Sequence, residues 1–133
     1  MSAHLRSLFA CLLLLSLLLC GCGFGVETVT LTLETEGGIQ AVSLGALVRI
    51  RLEGNASTGY AWMRVTPESI LGCPVEALQE GAYITATDLP GSPGVFAFDY
   101  HAMQRGTVTL EFEHKRTWEE DAIDTFAVTL WVR

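Results

Sequence analysis

The chain has 133 residues and a formal net charge of −7 at pH 7, and 50% of its residues are hydrophobic. This length accommodates one ordinary domain with a single core. The acidic balance argues against binding to nucleic acid and against electrostatic docking on anionic lipid, because both need a cationic surface.

The N-terminal segment has the pattern of a secretory signal peptide. Arg6 precedes a leucine-rich run from Leu8 to Cys20, and a basic residue before a short apolar run is typical of such signals. The run is shorter than the about 20 apolar residues that a membrane-spanning helix needs. We therefore expect residues 1–21 to be a signal that is removed from an exported protein.

The end of this signal resembles a bacterial lipobox, in which a small residue precedes the cysteine that is lipidated. Cys22 follows Gly21 and fits best, whereas Cys20 follows a bulky leucine. We expect Cys22 to anchor the protein to the bacterial cell envelope by its lipid, with residues 22–26 as a tether. Glycine rather than aspartate at position 23, directly after the lipidated cysteine, resembles a signal for the outer membrane or its periplasmic face rather than for the inner membrane. An ordinary cleaved signal is the alternative.

Lipidation of Cys22 would leave Cys73 without a partner, so we expect no disulfide although the protein is exported. We interpret Cys73, next to Pro74, as a small buried hydrophobic residue rather than a nucleophile. Residues 27–133 then remain as one domain.

Period-two alternation of apolar and polar residues dominates this domain and predicts β-strands. The predicted strands are residues 28–34, 47–53, 60–65, 95–102, 107–115 and 125–132. The apolar residues that would share the inner faces are Val29, Leu31, Leu33, Val48, Ile50, Leu52, Phe96, Phe98, Tyr100, Val108, Leu110, Phe112, Phe126, Val128, Leu130 and Val132. Several short strands separated by turns indicate a sandwich or a barrel.

The region from residue 69 to residue 80 is less regular than the rest. Val75, Ala77 and Gln79 alternate weakly and suggest a short edge strand. Trp62 and Trp131 both lie within predicted strands. We therefore interpret both as mainly structural, with Trp62 close enough to the loop at residues 55–60 to brace it.

Three loops between the predicted strands differ from ordinary connections. The first loop (residues 55–60) reads Asn-Ala-Ser-Thr-Gly-Tyr, the second loop (residues 91–94) reads Gly-Ser-Pro-Gly, and the third loop (residues 116–118) reads Arg-Thr-Trp. Composition alone favours a β-hairpin turn for the first loop. Trp118 lies among charged residues, and we expect it to be an exposed contact residue because Trp and Arg are enriched among interface anchors.

In order and spacing, the three loops resemble those of the chagasin-like inhibitors of papain-type cysteine peptidases. The family patterns are Asn-Pro-Thr-Thr-Gly-Tyr, Gly-x-Gly-Gly and Arg-Pro-Trp, and the positions that match are Asn55, Thr58, Gly59, Tyr60, Gly91, Gly94, Arg116 and Trp118. Ala56, Ser57, Pro93 and Thr117 depart from these patterns. Loss of proline at Ala56 is expected to leave the first loop less preorganised, and Pro93 has no N–H group to donate.

The resemblance implies an all-β, immunoglobulin-like β-sandwich that presents the three loops side by side at one end. It implies a reversible, non-covalent inhibitor of papain-like cysteine peptidases that occludes the active-site cleft, with Thr58 near the catalytic cysteine and histidine. The peptidase-binding residues it implies are Asn55, Ala56, Ser57, Thr58, Gly59, Tyr60, Gly91, Ser92, Pro93, Gly94, Arg116, Thr117 and Trp118. A monomer without cofactor, metal or catalytic residues is expected.

Two other classes of protein are weaker interpretations. A membrane-anchored adhesion or scaffold module would share the sandwich and have unrelated loops. An enzyme is the least favoured, because His101 and His114 lie in predicted strands without a partner at a motif spacing. The acidic residues Glu119, Glu120, Asp121 and Asp124 lack the glycine-punctuated spacing of a calcium loop, so we interpret them as a solvated acidic loop.

Overall fold

The computed structural model describes residues 25–71 and 74–133. Its strands, in chain order, are β1 (Thr28–Leu31), β2 (Ile39–Val42), β3 (Leu47–Gly54), β4 (Ala61–Arg64), β5 (Val75–Thr85), β6 (Gly94–Ala102), β7 (Gly106–Lys115) and β8 (Asp124–Val132). The helical segments are 3₁₀ turns at Leu33–Thr35 and Ala56–Thr58 and the one-turn helix α1 (Glu68–Leu71). No helix in the described residues is long and apolar enough to cross a membrane. The predicted signal peptide, Cys22 and Cys73 lie outside the described residues.

The strands form two four-stranded sheets that enclose one core. The first sheet has the order β1-β3-β6-β5, and the second has the order β2-β8-β7-β4. The inward residues predicted from the alternation of β3, β6, β7 and β8 are all buried, because period-two side chains of one set point to a single face. The all-β sandwich predicted from the sequence is therefore confirmed.

The N-terminal strand is shorter than predicted. β1 ends at Leu31, and a 3₁₀ turn follows in which the Thr35 hydroxyl donates to the carbonyl oxygen of Thr32 at 2.6 Å. Threonine hydroxyls commonly divert the backbone from a strand in this way. Gly37, with φ of 69°, then directs the chain to the second sheet. The prediction that residues 28–34 form one strand is wrong, although Leu33 still packs against the core.

The next segment, β2, was not predicted, because its sequence Ile-Gln-Ala-Val ends in two consecutive apolar residues and does not alternate. β2 pairs parallel with β8, and β1 pairs parallel with β3. The N-terminal part of the domain therefore contributes one edge strand to each sheet.

At the opposite edge of the first sheet, β5 has 11 residues and is longer than predicted. Its pairing with β6 shifts register between Ala77 and Gln79 and again between Glu80 and Ala82. These irregularities interrupt the period-two pattern, which explains why the sequence showed only a short strand. Edge strands with such irregularities are less able to pair with another chain.

The two predicted structural tryptophans differ in the structure. Trp62 is 2% exposed and belongs to the core, as predicted. Trp131 is 48% exposed on the outer face of the second sheet, where the Arg133 guanidinium lies 5.8 Å from its ring centroid. The structural role predicted for Trp131 is therefore wrong, since its neighbours Leu130 and Val132 take the inner positions of β8.

A polar network ties the two sheets together where β4 faces β5. Arg64 of β4 pairs with Glu80 of β5, and it also contacts Glu68 at 2.8 Å. The Tyr100 hydroxyl donates to Glu80 at 3.1 Å. The hydrogen-bonded Arg64 guanidinium lowers the pKa of Glu80, while burial, followed by the charge of Glu80, raises the pKa of Tyr100.

Strand direction gives the domain two distinct ends. β3 ends at Gly54 opposite Gly94, where β6 begins, and β7 ends at Lys115 opposite Ala61, where β4 begins. The connections β3–β4, β5–β6 and β7–β8 therefore share one end, which we call the loop end. The opposite end, where residues 25–27 enter β1, is called the tether end.

Candidate functional site

The first loop is a capped turn at the loop end. Asn55 caps the 3₁₀ turn, since its Oδ1 accepts hydrogen bonds from the Ser57 N–H at 3.1 Å and the Ser57 hydroxyl at 2.7 Å. The Thr58 hydroxyl donates to the Asn55 carbonyl oxygen at 2.6 Å. Gly59 closes the turn in the left-handed region with φ of 83°, which favours glycine. These bonds order the loop although Ala56 stands where the family has proline.

The second loop is attached to the first through Asn55. The Asn55 side-chain amide donates to the carbonyl oxygen of Gly91 at 2.9 Å. Gly91 has φ of 80° and follows Pro90 in a turn closed by the bond from the Ser92 N–H to the Leu89 carbonyl, at 3.2 Å. Proline followed by a glycine of positive φ is the pattern of a type II turn.

Tyr83 supports this second loop from β5. Its hydroxyl donates to the Ser92 carbonyl oxygen at 2.9 Å and lies 3.3 Å from the Gly54 carbonyl oxygen at the start of the first loop. Gly94 begins β6 so close to β5 that a Cβ atom there would lie 2.4 Å from the Ile84 carbonyl oxygen. No pattern in the sequence indicated Tyr83, because this residue lies in β5, where shifts of register interrupt the period of two.

The third loop holds the first from its other side. Arg116 donates from Nε and from Nη2 to the carbonyl oxygen of Thr58, and both distances are 3.2 Å. The Arg116 guanidinium lies 4.4 Å from the centroid of the Tyr60 ring and pairs with Glu119 at 3.2 Å. Such a cation–π contact adds stabilisation to the two hydrogen bonds. Asn55 and Arg116 therefore fix the first loop between its two neighbours.

Trp118 is the most exposed of the three tryptophans. It is 72% exposed, as expected from its charged neighbours. Its ring lies next to Gly59, since a Cβ atom at that glycine would be 3.2 Å from the ring carbon Cη2. Because a large apolar ring in water is unfavourable, its exposure at an ordered loop indicates a contact surface.

Under the loops, His114 lies at the centre of a cluster of aromatic rings. Its ring stacks on Trp62 with 4.8 Å between centroids and 9° between planes, and it meets the edge of Tyr60 at 5.7 Å. The Nε2 atom of His114 is buried and has no hydrogen-bond partner among the described residues. Burial lowers the pKa of His114, and the nearby Asp124 opposes this to a smaller extent, so the ring is neutral at neutral pH.

Trp62 connects this aromatic cluster to the first loop. Its indole N–H donates to the Glu53 carbonyl oxygen at 2.9 Å, at the end of β3. The sequence predicted this bracing role for Trp62, whereas for His114 it indicated only a position within a strand. The structure assigns His114 a position under the first and third loops.

The arrangement favours display of a fixed surface rather than chemistry. Within residues 25–71 and 74–133, no group of three or more His, Cys, Asp or Glu side chains is placed to hold a metal ion. The thirteen residues predicted to bind a peptidase all lie at the loop end, within the three loops. What the site offers is a stiff ridge with one exposed indole ring.

Comparison with known proteins identifies a family. Residues 41–130 match the family model of the chagasin family peptidase inhibitor I42. Amoebiasin-2 of Entamoeba histolytica is 25% identical over 79 residues, which are 59% of this chain and 63% of Amoebiasin-2. The matched part thus spans less than two thirds of that relative's length.

Three solved structures illustrate the shared fold. The cysteine protease inhibitor EhICP2 from Entamoeba histolytica has a TM-score of 0.69 at 22% identity, covering 84% of this chain and all of that one. Amebosin has a TM-score of 0.62 at 23% identity, with 82% and 100% covered. PbICP-C, solved in complex with falcipain-2, has a TM-score of 0.51 at 18% identity, with 81% and 91% covered.

Proposed function

Because this chain belongs to the chagasin family of I42 peptidase inhibitors, we propose that it is a reversible, non-covalent inhibitor of papain-like cysteine peptidases. The observation that carries the proposal is the fixation of the first loop between the second and third loops, through Asn55 and Arg116. The complex of PbICP-C with falcipain-2 supports a cysteine peptidase as the partner. Family membership also supports an inhibitor rather than an enzyme.

Inhibition would occur by occlusion of the cleft. A peptidase cleaves an extended segment whose carbonyl carbon lies next to the nucleophile. In the first loop, the Thr58 carbonyl oxygen is instead bound by two donors of Arg116, and the backbone is a closed 3₁₀ turn rather than an extended segment. A loop of this kind fills the cleft near the catalytic cysteine and histidine without offering a bond in the geometry for attack.

Rigidity would supply much of the affinity. Each loop is ordered by its own hydrogen bonds before a partner binds, so little conformational freedom is lost on association. Trp118 would be the principal apolar anchor, since it is 72% exposed and Trp is common among hot-spot residues. A standard interface would bury roughly 800 Å² on each partner. All thirteen predicted contact residues fall within such a face.

We also propose that the protein is a monomer attached to the bacterial cell envelope by lipid on Cys22. The described chain supports this arrangement because residues 25–27 enter the domain at the tether end, opposite the three loops. A lipid on Cys22 would therefore leave the loop end free to meet a peptidase. Mass spectrometry of the mature protein would identify the modified cysteine, and a bridge between Cys22 and Cys73 would contradict the proposal.

Titration of papain with the purified protein tests the inhibitory function. Trp118→Ala and Thr58→Trp should each weaken inhibition, the first through loss of the anchor and the second through a clash in the cleft. For Trp118→Ala the expected loss is at least about 2 kcal/mol of binding free energy, roughly thirtyfold. Trp118→Ala should keep the wild-type melting temperature, since residue 118 is exposed. Thr58→Trp should lower it only slightly, since residue 58 is also exposed but loses its hydroxyl bond to Asn55.

Trp131→Ala provides the matched control, because Trp131 is also exposed but lies in β8 near the tether end. This variant should inhibit like the wild type. Equal inhibition by Trp118→Ala and Thr58→Trp would remove the loops from the mechanism. Full papain activity in a micromolar excess of the wild-type protein would instead favour a scaffold module.

A further inference from the structure

The tether end is held firmly to the domain at the point where the chain enters it. The Glu27 carbonyl oxygen accepts from the Leu47 N–H at 2.8 Å. The Glu27 carboxylate accepts from the Ser43 N–H at 3.2 Å. The position of residue 27 is therefore fixed, and a chain leading to Cys22 can extend only a few residues from this end of the sandwich.

Exposed apolar side chains surround this entry point. They come from four separate segments and are Val26 (69% exposed), Leu44 (48%), Met103 (54%) and Trp131 (48%). Backbone bonds place their segments together: the Leu44 N–H donates to the Arg133 carbonyl at 3.0 Å, and the Gly45 N–H, next to Leu44, donates to the carbonyl of Ala102, next to Met103, at 2.8 Å. Apolar residues gathered at one end of a small domain indicate a contact surface rather than scattered exposure.

Charge separates the two ends of the domain. The acidic segment Glu119–Asp121 lies at the loop end, whereas Glu27, Glu68 and Glu76, toward the tether end, are accompanied by Arg105 and Arg133. Little of the net charge of −7 is thus carried by the tether end. An anionic lipid surface would repel the loop end more strongly than the tether end.

We propose that the tether end lies directly on the lipid surface, with Val26, Leu44, Met103 and Trp131 in the interfacial region and the three loops directed away from it. The inference rests on the lipid attachment proposed for Cys22. Tryptophan favours the membrane interface, and Arg133 beside the Trp131 ring can reach the head groups with its guanidinium. Contact of the domain adds buried apolar area to the attachment and fixes the orientation of the domain on the membrane.

The three tryptophans allow a direct test in the mature, lipidated protein. The protein is incorporated into vesicles of phosphatidylethanolamine and phosphatidylglycerol that contain a phospholipid brominated near the glycerol end of its acyl chains. In Trp118→Phe, bromolipid should quench most of the Trp131 emission, while Trp62 remains unquenched because it is 2% exposed. In Trp131→Phe, the emission of Trp118 should be unaffected by bromolipid.

A charged variant pair tests the apolar contact separately. Leu44→Asp with Met103→Asp, in the Trp118→Phe background, should abolish the quenching of Trp131, and the same pair in the otherwise wild-type protein should leave papain inhibition unchanged. Leu78→Asp is the matched control, since Leu78 is 56% exposed on β5 away from both ends, and it should keep the quenching.

Other outcomes would overturn the inference. If Trp131 is not quenched in the lipidated protein, the domain does not contact the membrane. The proposed inhibitory function and the lipid anchor would be unaffected by that result. Absence of lipid on Cys22 would overturn the anchor and the docking together. Dimers in sedimentation that disappear in Leu44→Asp would show that the surface binds a second copy instead of lipid.

Discussion

Arg116 and Thr58 are separated by 58 positions in the chain, yet Arg116 binds the Thr58 carbonyl oxygen through both Nε and Nη2. This pair joins the third loop to the tip of the first. The same guanidinium also covers the Tyr60 ring at 4.4 Å. One side chain therefore orders both the backbone and an aromatic ring of the first loop.

Arg116→Ala should weaken inhibition of papain by about 1–2 kcal/mol, close to tenfold, because two hydrogen bonds with a charged donor are lost at a partly exposed site. The loosened loop should chiefly raise the dissociation rate. Stopped-flow or surface plasmon resonance measurements would separate the two rates. Arg116→Lys should recover only part of the affinity, since an ammonium group lacks the planar fork. An association rate that falls while dissociation stays constant would argue against ordering of the loop.

Gly59→Ala should reduce both stability and inhibition. The residue has φ of 83°, and a Cβ atom would meet the Trp118 ring at 3.2 Å. A left-handed alanine costs about 1–2 kcal/mol, and the displaced indole should lower affinity for papain more than tenfold. Chemical denaturation and papain titration would report the two effects.

Gly45→Ala is the control for backbone strain alone. Gly45 has φ of 87° at the tether end, and nothing lies within 4 Å of its Cβ position. It should lose a similar amount of stability and retain full inhibition. If Gly45→Ala impaired inhibition as strongly as Gly59→Ala, contact with Trp118 would not explain the effect of residue 59.

His114 should make the protein less stable below neutral pH. Its pKa is lowered in the folded state, mainly by burial, so between the folded pKa and about 6.5 the unfolded chain binds a proton that the native chain does not. Stability should therefore fall as the pH decreases through this interval and level off below the folded pKa. The charged groups near His114 are Asp124, opposite it in β8, and the adjacent Glu113–Lys115 pair.

Urea unfolding of His114→Phe between pH 5 and pH 8 would measure this contribution. The variant keeps a ring against Trp62 and removes the unpaired Nε2 atom, so its stability should depend less on pH than that of the wild type over this interval. An identical dependence in the two proteins would contradict the assignment to His114.

Arg64→Met should lower the free energy of unfolding by about 2 kcal/mol, because it leaves Glu80 partly buried without its cation. The depressed pKa of Glu80 means that this contribution exists above about pH 4.3 and is lost as the pH falls through the folded pKa. Wild type and variant should therefore converge in stability in acid.

Arg49→Met is a suitable comparison for the Arg64 variant, since Arg49 is an exposed arginine of β3. Its stability should remain within about 0.5 kcal/mol of the wild type. Equal losses in the two variants would indicate a general effect of removing positive charge from an acidic protein.

Much of the fold could be predicted from the alternation of single strands. The inner faces of β3, β6, β7 and β8 were predicted correctly, because a period of two assigns side chains to faces without knowledge of the neighbouring strand. β2 and the full length of β5 escaped prediction, since the sequence of β2 does not alternate and β5 is interrupted by shifts of register. Trp131 was misjudged because its residue type was given more weight than its outward position in β8.

The candidate site, like the fold, was predicted from the sequence only in part. The residues of the three loops were identified from their own sequence and its resemblance to a family, but the contacts that unite the loops were not. Asn55 meets Gly91 across 36 positions, and the supports from Tyr83 and His114 left no pattern in the sequence. Such contacts depend on how two sheets pack, which no local window of the chain contains.

The sequence by itself determined which side chains face the core and which short segments interrupt the strands, because neighbours along the backbone fix both. Only the tertiary structure decided that the N-terminal segment divides between two sheets, that the three loops are bonded into one ridge, and that this ridge lies opposite the tether end. Those features arise from pairing between distant strands, where burial of the common core selects one register among many.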